Sequence, residues 1–237
     1  MTGPLFSFEH VSVGDDSRWR LRDVVVELPD CGITTIVGPS GSGKSTLLRC
    51  CNRLEALREG VVRYRGVDVM TIDPLVLRRR VGMVFQRPTP FAGTGRDNLR
   101  VADPNISDAR AAELLQVVKL DPSFLDRDAT RLSGGEAQRL CLARSLAARP
   151  DVLLMDEVTS SVDPPTRIAL EELAHSCARS DVRVLWVTHD FDQARRIADH
   201  IVVVLAGRVA HSAPAGELEA AAPPDVLAFL EEARGGE

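Results

Sequence analysis

The segment Gly38-Pro39-Ser40-Gly41-Ser42-Gly43-Lys44-Ser45-Thr46 leaves this chain few choices of fold. Ahead of it, Ile33-Thr34-Thr35-Ile36-Val37 is short, apolar and β-branched, and reads as a buried strand; behind it, Lys44 to Leu54 reads as a helix. A strand that turns through glycines into a helix commits the chain to an α/β arrangement. Gly38, Gly43, Lys44 and Ser45 fall on the pattern G-x-x-x-x-G-K-[ST]. The glycines are needed because backbone N–H groups must turn inward on one point, through dihedrals that side chains forbid. Such donors at a helix N-terminus hold an anion. With Lys44 as a point charge for the β/γ-phosphates and the Ser45 hydroxyl for Mg2+, the anion is a nucleoside triphosphate.

Around this loop the chain alternates. Leu5–Val13 and Leu21–Leu28 read as antiparallel strands joined by a turn at Gly14-Asp15-Asp16, and Val61-Val62-Arg63-Tyr64 and Val81-Gly82-Met83-Val84-Phe85 as further strands. Asp73 is placed to cap a helical turn, with Pro74 at its first position. From Arg87 to about Arg131 the character changes: Pro and Gly cluster first, then a helical pattern runs from Ser107 to Leu120. Ser133 reads as the N-cap of a helix passing Gln138, Leu142 and Leu146 and stopping near Pro150. Strands at Asp151–Asp156, Val182–Thr188 and Ile201–Leu205 then alternate with helices at Pro165–Cys177 and Phe191–Ala198, the pattern of a parallel sheet flanked by helices. After Ser212 the tail is alanine-rich and short.

Val152-Leu153-Leu154-Met155-Asp156-Glu157 is an apolar strand ending in two acids. Ligands of open α/β sheets sit beyond the carboxyl ends of strands, so both acids should face the nucleotide. Asp156 suits the metal shell, and Glu157 suits orientation or deprotonation of the attacking water. Gln86, just past a strand end, could reach metal shell and γ-phosphate; His189, ending another strand, could hold the γ-phosphate from the other side. His10, His175, His200 and His211 have no such setting.

Composition removes other classes. Lys+Arg number 29 against 34 Asp+Glu, a net charge of −5, and aromatic residues are 4% of the chain, which leaves neither a basic footprint nor a base-stacking platform for nucleic acid. Arg78-Arg79-Arg80 is the longest basic run and reads as a solvated helix end. Cys31, Cys50, Cys51, Cys141 and Cys177 lack metal-type spacing and suit a reducing compartment. Met1-Thr2-Gly3-Pro4-Leu5 carries no charged-then-apolar leader, and no run approaches the ~18 apolar residues of a spanning helix. The expectation is one domain over 1–237, with a core of 1–87 and 132–237 and a helical subdomain at 88–131.

In order along the chain, the loop at Gly38–Thr46, Gln86, Leu132-Ser133-Gly134-Gly135-Glu136, Asp156-Glu157, the Ser161-Val162-Asp163 turn and His189 resemble the ATP-binding cassette (ABC) ATPases that drive membrane transport. The resemblance implies a P-loop NTPase fold with a mainly parallel core, a small antiparallel β subdomain and an inserted helical one. It further implies a head-to-tail homodimer with ATP sandwiched at the interface. Ser133, Gly134 and Gly135 of one copy would cap the γ-phosphate bound by the other, and Asp163 would help connect the two sites. Catalysis would rest on Lys44, Gln86, Glu157 and His189, and Mg2+ on Ser45, Gln86 and Asp156. Expected partners are separate transmembrane permease subunits, with an extracytoplasmic solute-binding protein on the import reading, and no nucleic acid. The expected place is the cytoplasmic face of the membrane.

Val158 and Val162 depart from the family's Glu-Pro-Thr-Ser-Ala-Leu-Asp, with both acids intact. The usual adenine-stacking position falls near Asp15, which is not aromatic; Trp19 is the nearest candidate. Val81 to Phe91 and Arg139-Leu140-Cys141-Leu142-Ala143-Arg144 resemble the phosphate-import ATPases. Phe91-Ala92-Gly93-Thr94 and Leu120-Asp121-Pro122-Ser123-Phe124 are more similar to a branch of iron-export and aluminium-tolerance ATPases. A soluble ABC protein of DNA repair or translation is the remoter alternative, since two cassettes, long coiled coils and basic arms are missing from these residues.

Overall fold

A computed structural model describes residues 3–15, 17–160 and 162–235. Strands β1 (Phe6–Gly14) and β2 (Trp19–Leu28) form a hairpin. Then follow β3 (Ile33–Val37), α1 (Lys44–Cys50), β4 (Glu59–Tyr64), β5 (Val67–Asp68), α2 (Pro74–Arg80) and β6 (Val81–Val84). The stretch before the next strand holds only helices and single turns: α3 (Gly95–Ala102), α4 (Asp108–Val117) and α5 (Gly134–Ala147). The remainder alternates as β7 (Val152–Asp156), α6 (Pro164–Arg179), β8 (Arg183–Val187), α7 (Phe191–Ile197), β9 (His200–Leu205), β10 (Arg208–Pro214) and α8 (Pro224–Gly235).

Two sheets organise these elements. The smaller is antiparallel, in the order β2-β1-β4-β5; the larger runs β10-β9-β3-β8-β7-β6, parallel throughout except for β10 at one edge. Every residue of β3 and of β7 is buried, as expected of parallel strands covered on both faces. The pleat divides their side chains between two cores. Val152 and Leu154 join Leu47, Leu48 and the small sheet, whereas Leu153 and Met155 join Trp186 and helices α3 to α6. A third cluster, with Val37, Phe191, Val203, Val226 and Leu230, covers the β9 edge.

The small sheet is pinned to the large one through Tyr64. Its hydroxyl donates to Asp151 Oδ2 at 3.0 Å, and Arg80 Nε donates to the same oxygen at 2.8 Å. Burial, then the bond to Asp151, push the phenol up to about 12. Tyr64→Phe should lower stability by only about 1 kcal/mol, because Arg80 still satisfies the carboxylate, and chemical denaturation would measure it.

Several boundaries differ from the sequence reading. The first helix ends at Cys50 and gives way to turns before Leu54. Helix α3 was not separable from the Pro- and Gly-rich stretch, although Thr94 and Asp97 form a capping box: Asp97 N donates to Thr94 Oγ1 and Thr94 N to Asp97 Oδ2. The tail, to which the sequence reading assigns no element, holds the end of β10 and α8, with Ala213, Val226 and Leu230 buried against α7 and β9. Asp16 of the first turn and Met1 and Thr2 lie outside the described residues.

Candidate functional site

The glycine loop crosses from β3 to α1 against neighbouring backbone. Gly38 has φ +150, and a Cβ there would lie 2.1 Å from the Val204 carbonyl; at Gly43, with φ +108, it would lie 2.6 Å from that of Arg20. Strands β9 and β2 therefore wall the loop, and only glycine fits. The opposite side is open: nothing lies within 4 Å of where Gly41 would carry a Cβ. Pro39, Ser40 and Thr46 complete the turn into α1. The buried Ser42 hydroxyl has no partner among the described residues.

Lys44 is 3% exposed and folds back over this loop, its Nζ donating to the carbonyls of Gly38 at 2.9 Å and Pro39 at 2.8 Å. Burial holds its ammonium below the ordinary lysine range, opposed by the nearby charges of Glu157 and Asp156. The charged form is thus disfavoured by folding, a cost present at neutral pH that disappears only as pH rises toward the unfolded value of ~10.4.

Asp156, at the carboxyl end of β7, is 2% exposed. Its Oδ1 accepts from the Ser45 hydroxyl at 2.6 Å and its Oδ2 from Arg49 Nη2 at 3.0 Å. A hydroxyl and a carboxylate are hard oxygen donors, the set that suits Mg2+, and the walled loop with its unpartnered Ser42 hydroxyl suits phosphate. ATP and Mg2+ therefore fit the residues present.

Glu157 is the meeting point of the predicted site. Its backbone takes φ +47, an unfavourable dihedral for a non-glycine residue, held by N–H donation to Val187 O at 3.1 Å. Its side chain accepts from Gln86 Nε2 at 3.1 Å, lies 4.0 Å from His189 Nδ1, and lies 4.0 Å from Lys44 Nζ. Three segments distant in sequence are thus gathered on the Glu157 carboxylate.

The second glycine segment is built differently. Ser133 caps α5 with a full capping box: Glu136 N donates to its hydroxyl at 3.3 Å, and Ser133 N donates to Glu136 Oε2 at 2.8 Å. The Ser133 backbone N–H, then its hydroxyl, hold the Glu136 carboxyl below its usual range. Gly134 faces open space, while a Cβ on Gly135 would meet Thr166 Oγ1 at 3.5 Å and Asp163 Oδ1 at 3.9 Å. Asp163 therefore stands beside this helix end, its carboxyl held low chiefly by the Thr166 hydroxyl. Among the described residues, no hydrogen bond or ion pair joins Ser133–Glu136 to the phosphate loop. Ser161 lies outside the described residues.

Trp19 opens β2, next to the residue whose carbonyl walls Gly43. Its ring already carries the guanidinium of Arg58 at 4.9 Å and that of Arg22 at 5.9 Å from the centroid. Sequence reasoning missed Arg49, Ser160 and Gln193. Arg49 lies four residues after Ser45, on the same face of α1, and that spacing was the available signal. Ser160 accepts from Gln86 Nε2 at 3.2 Å. Buried Gln193 accepts from the hydroxyls of Thr159 at 3.0 Å and Thr188 at 2.9 Å and donates to Glu171 at 2.8 Å, tying the ends of β7 and β8 to α6 and α7.

A strand–loop–helix of this geometry, with an acid-tipped strand in the same parallel sheet, defines the P-loop nucleoside-triphosphate class. Comparison with known proteins narrows it. The ABC transporter family model matches residues 21–160. Protein STAR1 of Oryza sativa subsp. japonica is 42% identical over 216 residues, covering 89% of this chain and 62% of that protein, so the chain spans less than two thirds of that relative's length. Phosphate import ATP-binding protein PstB 1 of Vibrio cholerae is 40% identical, covering 86% of this chain and 80% of that protein. A dimeric, post-hydrolysis structure of the ATP-binding cassette MJ0796 with ADP and Pi superposes with a TM-score of 0.78 at 27% identity, covering 89% of this chain and 98% of that one. The chain belongs to the ABC transporter family, among its ATPases. Among the described residues, no helix is long and apolar enough to cross a membrane.

Proposed function

We propose that this chain is the ATP-hydrolysing subunit of a transporter whose membrane-spanning subunits are separate chains, that it works as a head-to-tail homodimer on the cytoplasmic face, and that the cargo is phosphate, taken inward. The observation that carries this reading is the gathering of Lys44, Gln86 and His189 around Glu157, while, among the described residues, the open helix end at Ser133–Gly135 has no bond to the phosphate loop. A helix N-terminus left open in its own chain suits the γ-phosphate held by a second copy.

In this reading Ser45 and Asp156 hold Mg2+, with Gln86 contributing, and the metal would neutralise phosphate charge. Lys44 leaves the loop carbonyls for the β/γ-phosphates. Glu157 orients the attacking water and takes its proton, and His189, more than half exposed, closes on the γ-phosphate. Asp163, beside Gly135, relays the state of one site to the other. The helical stretch 88–131 forms its own subdomain on a core of 1–87 and 132–237. Phe85 at 41% and Phe91 at 50% exposure flank Gln86 and suit contact with a membrane subunit.

Phosphate as cargo is supported by the 40% identity to a phosphate import protein and by the Val81–Phe91 stretch. Export of an iron-type metal is the second reading, favoured by Phe91–Thr94 and Leu120–Phe124. Reconstitution with the membrane subunits in proteoliposomes separates them. ATP-dependent accumulation of radiolabelled phosphate is expected; ATP-driven movement of metal without phosphate would replace the first reading with the second. A chain that binds ribosomes or DNA and energises no membrane protein would overturn both.

A further inference from the structure

Arg49 is unaccounted for by the roles above. It is the one basic residue in the last turn of α1, and its guanidinium reaches Asp156 Oδ2 at 3.0 Å while the Ser45 hydroxyl occupies Oδ1 at 2.6 Å. Both carboxylate oxygens are therefore engaged by the chain itself. The Arg49 side chain is 39% exposed, but its Nη2 is held on Asp156 and its buried Nε has no partner among the described residues. The charges around the loop also balance: Lys44 and Arg49 face Asp156 and Glu157. A carboxylate that is 2% exposed is costly to bury without such a counter-charge.

We propose that Arg49 is a metal-excluding counter-ion: it neutralises Asp156 in the nucleotide-free protein and makes divalent-cation binding conditional on the triphosphate. The inference rests on the reading of Asp156 as a metal-shell residue. A bare divalent cation beside Asp156 would add two positive charges to a balanced site with a guanidinium in hydrogen-bond contact with the same carboxylate. A triphosphate brings its own negative charge and reverses that balance. Arg49 acts through Asp156, so it is a positioning residue with a second task, preventing the empty site from loading metal alone.

The test measures Mn2+ alone, as a stand-in for Mg2+, by its electron paramagnetic resonance signal, with and without a non-hydrolysable ATP analogue. Without nucleotide, Arg49→Met should bind Mn2+ at least about tenfold more tightly than wild type, with Arg49→Gln, which retains an amide donor, behaving alike should the methionine variant fail to fold. Arg49→Lys should keep the exclusion. Adding Asp156→Asn to Arg49→Met should remove the gain. Unchanged nucleotide-free Mn2+ affinity in the neutral variants, or a gain that survives Asp156→Asn, would overturn the proposal. The reading beneath it fails separately: Asp156→Asn alone would then leave Mn2+ binding in the presence of the analogue as strong as in wild type.

Discussion

Lys44→Ala is expected to cut ATP turnover by roughly 10²–10³-fold or more, because it removes the one ammonium placed to meet the phosphates. The same change should leave the nucleotide-free protein folded. Lys44 sits 3% exposed with its ammonium held below the ordinary range by burial, so its charge is a burden on folding that the Gly38 and Pro39 carbonyls offset in part. Activity and stability should therefore separate: steady-state phosphate release collapses, while the thermal midpoint without nucleotide is held. Midpoint gain on adding ATP should shrink in the variant, since ligand stabilisation follows affinity. Retained turnover would remove Lys44 from the site.

Glu157→Gln addresses the second half of the proposal. The amide keeps the shape of the side chain and its bond to Gln86, but it cannot take a proton from water and it removes one negative charge facing the γ-phosphate. Hydrolysis should fall by about 10²–10⁴-fold. ATP then persists between the loop of one copy and the Ser133–Gly135 helix end of another, and the dimer should accumulate. Light scattering should read twice the 25.8 kDa of one chain with ATP and one chain without it. A species that stays monomeric with ATP bound would remove the sandwich while leaving the Lys44 result intact.

What could be read in the sequence and what could not divide along a physical line. The loop, the two acids and the Ser133 cap are local: each announces itself through a spacing that backbone geometry demands. The strands Val152–Asp156 and Ile33–Val37 were equally plain, because covered parallel strands are apolar without interruption. Helix α3 was hidden because Gly95 opens it and its mean hydropathy is low; its reality depends on packing against α5, a tertiary matter. Helix α8 drew no reading for the same reason, since Val226 and Leu230 matter only once β9 and α7 supply the surface beneath them. Within the site, Glu157 was legible as an acid but its left-handed φ was not. Nor was the convergence of Gln86, His189 and Lys44 on it, which needs four strands in register.

The back-folded Lys44 has a practical corollary. The chain has only two lysines, and they could hardly differ more: Lys44 is enclosed, whereas Lys119, at the end of α4, has its side chain 62% exposed and only a 4.0 Å approach to Glu172. Amine-directed chemistry on the folded protein should find one side-chain target, remote in sequence from the loop. A dye or tether attached there leaves Lys44 untouched, so the arrangement that guards the phosphate site also supplies a single side-chain handle for testing whether two copies meet.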